Sequence, residues 1–235
     1  KISCISILDV CADMAALIEG ELVHLEVVME AYDCDDIVGT TIVSLYGRCG
    51  SLEAAKSVFD KMSVRSVITW NALIAGHAQH GNGEETLELF NQMQDSGVIP
   101  TDVTFISVLN ACSHAGLLDE ARMLFRNMTG EYGIVASIEH HTCMVSVFGC
   151  AGHFEKAMLV IEMMPSSSSP AVWLALLGSC QKWGNLKLGR LAFDQVVQLD
   201  DDCAPAYVIM SNIFVGAGMW KDAENIEAMR LKYAA

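Results

Sequence analysis

The sequence predicts an all-α solenoid of about seven helix-turn-helix repeats, and two observations carry that prediction. In residues 67–101 (VITWNALIAGHAQHGNGEETLELFNQMQDSGVIPT), apolar side chains recur at helical spacing through Trp70, Leu73 and Ile74. They do so again through Leu87, Leu89, Phe90 and Met93. The cluster His80-Gly81-Asn82-Gly83 separates the two helices, and Ser96-Gly97-Val98-Ile99-Pro100 closes the unit. A hairpin of 35 residues cannot bury its apolar face alone and needs neighbours of the same kind. The second observation supplies them. Glycines recur at Gly50, Gly81, Gly116, Gly152, Gly184 and Gly218, spaced by 31, 35, 36, 32 and 34 residues. Five residues after each comes a small side chain: Ala55, Thr86, Ala121, Ala157, Gly189 and Ala223. A glycine suits a left-handed cap on the first helix, and the small residue lets the second helix approach it closely.

Taken in order, residues 1–35 form a full-length unit with Ala15 in the glycine slot and Gly20 in the small-residue slot. Units 36–66, 67–101, 102–137 and 138–169 follow, with lengths of 31, 35, 36 and 32. Phe59, Phe90 and Phe125 share one repeat position, and Met62, Met93, Met128 and Met164 another; the stripe is expected in the core. The serine run 166–169 reads as a loop before two further hairpins, 170–203 and 204–232. Aromatics concentrate there as Trp173, Trp183, Tyr207, Phe214 and Trp220, expected to face the core or cap the open end of the stack.

An apolar content of 52% over 235 residues excludes a disordered chain, and no run of 18 apolar residues is present to cross a membrane. The nine cysteines contain no CxxC and are expected to be reduced, mostly buried thiols, which favours a reducing compartment. Because the chain starts at Lys1, inside a repeat, it is expected to be a fragment with any targeting segment outside it. The balance of 14 basic and 29 acidic residues argues against avid, nonspecific nucleic-acid binding. Residues 1–169 carry 8 basic and 22 acidic side chains, so phosphates should be repelled except near Arg48, Lys56, Lys61 and Arg65.

The segments LYGRCGSLEAAKSVFDKM, VITWNALIAGHAQHGNGEETLELFNQM and DVTFISVLNACSHAGLLDEARMLF closely resemble plant pentatricopeptide-repeat proteins of the mixed-length (PLS) subclass. The tail segments AVWLALLGSCQKWGNLKLGRLAFDQVVQLDDD and YVIMSNIFVGAGMWKDAENIEAMR resemble the two extension (E) motifs that end such proteins. This resemblance implies a right-handed α-solenoid. Its repeats would be 1–35 (long), 36–66 (short), 67–101 (ordinary), 102–137 (long) and 138–169 (short), followed by E motifs over 170–235.

The resemblance also implies that each repeat reads one base of single-stranded RNA through its fifth and last residues. The pairs here are Ile5/Asp35, Thr40/Ser66, Asn71/Thr101, Ile106/Ser137 and Thr142/Ser169. By the family's pattern they read, 5′ to 3′, any base, A, C or U, any base, A. The second residues Ile37, Ile68 and Val103, with Ile2, would stack on bases, whereas Glu139 does not fit that role. Read without the resemblance, Thr40, Asn71 and Thr142 are equally well polar residues on a solvated helix face. Leu174 and Val208, at the fifth position of the last two units, should contact no base.

No catalytic residue, metal ligand or cofactor is expected. His24-Leu25-Glu26 and His153-Phe154-Glu155 spell HxE, but each falls on a second helix of a repeat and no CxxC follows, as a zinc deaminase would need. His140-His141 opens a first helix and is not read as a metal site. No phosphate loop, dinucleotide turn or nucleophile elbow is present. The implied function is sequence-specific recognition of organellar RNA, in chloroplast or mitochondrion, by the C-terminal part of a C-to-U editing factor. Its E motifs would recruit or position a DYW-type deaminase or an editing cofactor protein. The rival reading is an acidic helical-repeat scaffold that binds protein and reads no RNA.

Overall fold

The computed structural model describes residues 2–29, 35–164 and 169–233; Cys34 and most of the serine run (166–168) lie outside them. All regular secondary structure among the described residues is α-helical, and it falls into two compact units, 1–115 and 116–235.

The first unit contains α1 (Ile2–Asp13), α2 (Leu17–Met29), α3 (Asp36–Arg48), α4 (Leu52–Lys61), α5 (Val67–Gln79), α6 (Gly83–Asp95) and α7 (Asp102–Ala115). Helices α1, α3, α5 and α7 pack side by side, while α2, α4 and α6 each pack on the helix before and the helix after. The second unit contains α8 (Leu118–Gly130), α9 (Ile138–Cys150), α10 (Phe154–Met163), α11 (Pro170–Trp183), α12 (Leu186–Leu199), α13 (Ala204–Gly216) and α14 (Trp220–Tyr233). Here α9, α11 and α13 form the side-by-side layer, with α8 against α9 and α10, α12 and α14 against their partners. The chain is an all-α helical-repeat solenoid.

The repeated glycines do what their spacing predicts. Gly50, Gly81, Gly116, Gly152, Gly184 and Gly218 take φ between 64° and 78°, the left-handed region in which a β-carbon is penalised. Ala15, in the same slot, is held at φ 51°. Ala15→Gly should therefore raise the melting temperature of the chain, with a gain of up to about 1 kcal/mol after the added flexibility of the unfolded chain is counted. The small residues five positions later, Ala55, Thr86, Ala121, Ala157, Gly189 and Ala223, are all buried.

Two contacts set how closely the first helices lie. A Cβ on Gly76 would sit 2.8 Å from the Gly47 Cα, so α3 and α5 meet backbone to backbone. In the second unit a Cβ on Gly149 would press on the Ser179 side chain, so α9 and α11 meet there backbone to side chain. Side chains near the end of one first helix also hold the end of the one before. His80 Nε2 donates to the Gly47 carbonyl (3.0 Å), and Lys182 Nζ and Trp183 Nε1 donate to the Cys150 carbonyl (3.0 and 3.3 Å). These bonds satisfy carbonyls that a helix leaves open at its C-terminus.

The apolar stripe is core, with local exceptions. Phe59, Phe90, Met93, Met128 and Met164 are buried, but Met62 and Phe125 are only half-buried. Cys11, Cys112, Cys143 and Cys180 are buried free thiols, and burial pushes Cys143 up to about 11 and Cys180 up to about 12. Of the tail aromatics, Trp173, Tyr207 and Phe214 are buried, while Trp183 and Trp220 stand 53% and 64% exposed.

His77, in α5, is buried with neither ring nitrogen hydrogen-bonded. Burial lowers its pKa, outweighing the opposing pull of Glu85. The unfolded chain then takes up a proton near pH 6.5 that the folded chain refuses, so stability should fall as pH drops through that region. In His77→Phe the ring nitrogens are gone, and urea unfolding at pH 5 and pH 7.5 should show a smaller difference than in the parent. Phe148 already fills the equivalent slot of α9.

Candidate nucleic-acid interface

The second and fifth residues of a repeat's first helix lie on one side of it, near the N-terminus. Ile37, Ile68 and Val103 accordingly lie at the second positions of α3, α5 and α7, and are 62%, 67% and 50% exposed although fully apolar. Between α3, α5 and α7 opens a cavity of about 370 Å³. Ile68 and Val103 flank it, Asn71 lies on its wall, and Ser44, Arg48 and Gln79 extend it along the helices. Two apolar side chains around one amide donor and acceptor form a slot suited to a flat heteroaromatic ring: stacking surface on its faces, hydrogen bonding at its edge.

Hydrogen bonds join the fifth residue of one repeat to its last residue and to the third residue of the next. Asn71 Nδ2 donates to Thr101 Oγ1 (3.3 Å), the Thr104 hydroxyl donates to Asn71 Oδ1 (2.6 Å), and the Thr101 N–H donates to Thr104 Oγ1 (2.9 Å). One repeat earlier, the Thr40 hydroxyl lies 2.8 Å from that of Thr69, which lies 3.0 Å from the Ser66 hydroxyl. The structure thus brings together two of the five pairs, Thr40/Ser66 and Asn71/Thr101. It also adds Thr69 and Thr104, which the sequence analysis missed. Both are third residues of their repeats and fully buried; two threonines recurring at one repeat position were the available signal.

The remaining residues are placed as follows. Asp35 caps α3, its carboxylate accepting from the Ile37 and Val38 N–H groups (3.1 and 3.2 Å). The Thr142 hydroxyl, half-buried in α9, donates to the Ile138 carbonyl (2.8 Å), and Ser169 stands at the N-cap of α11. Ser137 caps α9 with its hydroxyl 2.8 Å from His140 Nδ1, and His140 is wholly buried. The Ser137 hydroxyl, together with a backbone N–H, holds the exposed Glu139 carboxyl below the usual carboxylate range. Ile106 belongs to the first unit and Ser137 to the second.

Three of the cations read as local exceptions to phosphate repulsion also make bonds within the chain. Arg48 pairs with Asp13, and Lys56 with Asp60 at 2.6 Å. Arg65 closes the end of α4 by donating to the Phe59 and Asp60 carbonyls (3.1 and 2.9 Å). Of the HxE sequences, His24 lies in α2 with Nδ1 2.9 Å from the Tyr46 hydroxyl. His153 stands immediately before α10 rather than within it. Among the described residues no group of three or more His, Cys, Asp or Glu is placed to hold a metal ion.

The PPR repeat family model matches residues 65–114, and the PPR repeat model matches 40–67, 103–131 and 139–169. The chain belongs to the pentatricopeptide-repeat family. The E motif model matches residues 183–233 of this pentatricopeptide-repeat chain, from the end of α11 through α14. The chain is 38% identical over 229 residues to the chloroplastic pentatricopeptide repeat-containing protein CRR2 of Arabidopsis thaliana, covering 97% of this chain and 35% of the relative. A mitochondrial pentatricopeptide repeat-containing protein of the same plant is 40% identical over 220 residues, covering 94% of this chain and 31% of that one. The chain therefore spans about a third of the length of these curated relatives. Among solved structures, the pentatricopeptide repeat protein PPR10 in complex with an 18-nt psaJ RNA element superposes with a TM-score of 0.74 at 14% identity, over 97% of this chain and 34% of that one. PPR10 from maize gives 0.57 at 18% identity over 98% and 39%. Both show the solenoid fold.

Proposed function

We propose that this chain reads single-stranded organellar RNA, base by base, as the C-terminal part of a C-to-U editing factor. Its repeats are 1–35, 36–66, 67–101, 102–137 and 138–169, alternating in length as in the PLS subclass, and its E motifs position a deaminase or an editing cofactor protein. The observation that carries this reading is the cavity between Ile68 and Val103 with the Asn71 amide on its wall. Thr40/Ser66, Asn71/Thr101 and Thr142/Ser169 are the base-reading pairs, while Asp35 and Ser137 complete the pairs of the non-reading Ile5 and Ile106. Ile37, Ile68 and Val103 are the stacking residues. The RNA bound by PPR10 supports the ligand class, and the chloroplastic and mitochondrial names of the relatives support an organellar setting.

The test is a binding series with single-stranded RNA at low salt, varying the base opposite Asn71. The parent should favour a pyrimidine there, and Asn71→Thr should shift the preference towards purines by about tenfold. An unchanged preference removes Asn71 from base reading. A second reading, an acidic scaffold for a basic protein, is favoured by the 22 acidic against 8 basic residues of 1–169 and by the internal pairing of Arg48, Lys56 and Arg65. It gains if matched and scrambled RNAs bind alike.

A further inference from the structure

We infer that Thr104, the buried third residue of its repeat, sets the hydrogen-bond polarity that Asn71 of the preceding repeat presents to a base. This rests on the base-reading function proposed above and adds a positioning residue that determines its specificity. The argument is one of counting hydrogens. A threonine hydroxyl has a single hydrogen and two lone pairs. Thr104 Oγ1 accepts from the Thr101 backbone N–H, which can only donate, and passes its own hydrogen to Asn71 Oδ1 at 2.6 Å. The amide of Asn71 is thereby oriented, with its NH₂ towards Thr101 Oγ1. One N–H serves Thr101, and the other remains as a donor for a ligand.

The preceding repeat has the opposite polarity. With the Thr40 hydrogen on the Asp36 carbonyl (2.7 Å), Thr69 is the donor across the 2.8 Å contact between Thr69 and Thr40. Thr69 has then no hydrogen for Ser66, and the Ser66 hydroxyl donates to Thr69 across 3.0 Å. Thr40 is left with one lone pair and no hydrogen to offer. An adenine amino group fits that acceptor, whereas a pyrimidine carbonyl or cytosine N3 fits the Asn71 donor. The second unit provides an internal contrast. The third residue after the Thr142 repeat is Val172, wholly buried and without a hydrogen-bonding group, so nothing of this kind orients Thr142.

The experiment measures base preference in the whole chain, with Thr104→Val and Thr104→Ser beside the parent. In Thr104→Val the pyrimidine preference opposite Asn71 should fall by about tenfold while the preference opposite Thr40 is kept. Thr104→Ser, which retains the hydroxyl, should restore it. A residue that merely supported the fold would weaken all RNAs evenly. Opposite Thr40, replacing adenosine by purine riboside, which lacks the amino group, should weaken the parent and Thr69→Val alike by about tenfold, because the Asp36 carbonyl holds the Thr40 hydrogen in both. Without RNA, the side-chain amide resonances of Asn71 should move in Thr104→Val and return in Thr104→Ser. If Thr104→Val keeps its preference and its Asn71 resonances while Asn71→Thr shifts preference, the positioning role is overturned and base reading stands. If Asn71→Thr also changes nothing, base reading falls with it.

Discussion

Phe59→Ala should destabilise the first unit by about 3–5 kcal/mol, seen as a lower midpoint in urea or thermal unfolding. Phe59 is 2% exposed at the end of α4 and meets Trp70 of α5 edge-on, ring centroids 4.6 Å apart. The Arg65 guanidinium lies over the same ring at 5.0 Å while bonding to the Phe59 and Asp60 carbonyls. One side chain thus joins two repeats and anchors the segment that ends at Ser66. Truncation opens a cavity that the backbone-held α3–α5 contact keeps from collapsing, which places the cost in the upper part of the range. Phe59→Leu, keeping most of the volume, should cost markedly less.

Gly76→Ala should cost about 1–3 kcal/mol although it adds a single methyl group. That methyl would lie 2.8 Å from the Gly47 Cα and 3.3 Å from its carbonyl carbon, and backbone cannot rotate away as a side chain can. Helices α3 and α5 would have to separate, widening the slot that Ile68, Asn71 and Val103 share. Base preference should therefore weaken along with stability. Gly178→Ala is the control: the added methyl meets nothing within 4 Å, so alanine's better helix propensity should leave the chain unchanged or slightly more stable.

The hairpins were legible because their signal is local. The left-handed glycine and the small residue five positions on obey constraints internal to one repeat, and both recur. The apolar second residues Ile37, Ile68 and Val103 were legible only through the family resemblance, since exposed isoleucines carry no pattern of their own. Thr69 and Thr104 were missed because their partners lie about 30 residues upstream across a helix–helix contact, beyond any periodicity within a helix. The intramolecular partners of Arg48, Lys56 and Arg65 were illegible for a related reason. A cation's availability depends on whether a carboxylate or carbonyl comes near it in space, as Asp13 does for Arg48.

The last residue of four of the five repeats also starts the next helix: Asp35, Ser66, Ser137 and Ser169 stand at the N-caps of α3, α5, α9 and α11. Helix initiation accepts few side chains well, chiefly Asn, Asp, Ser and Thr. On the proposed reading, the second letter of those four recognition pairs is drawn from that short alphabet by folding before RNA selects among its members. Recoding this chain for another transcript would then be cheap within those four residues, and any fifth choice would loosen the helix that presents the neighbouring base reader.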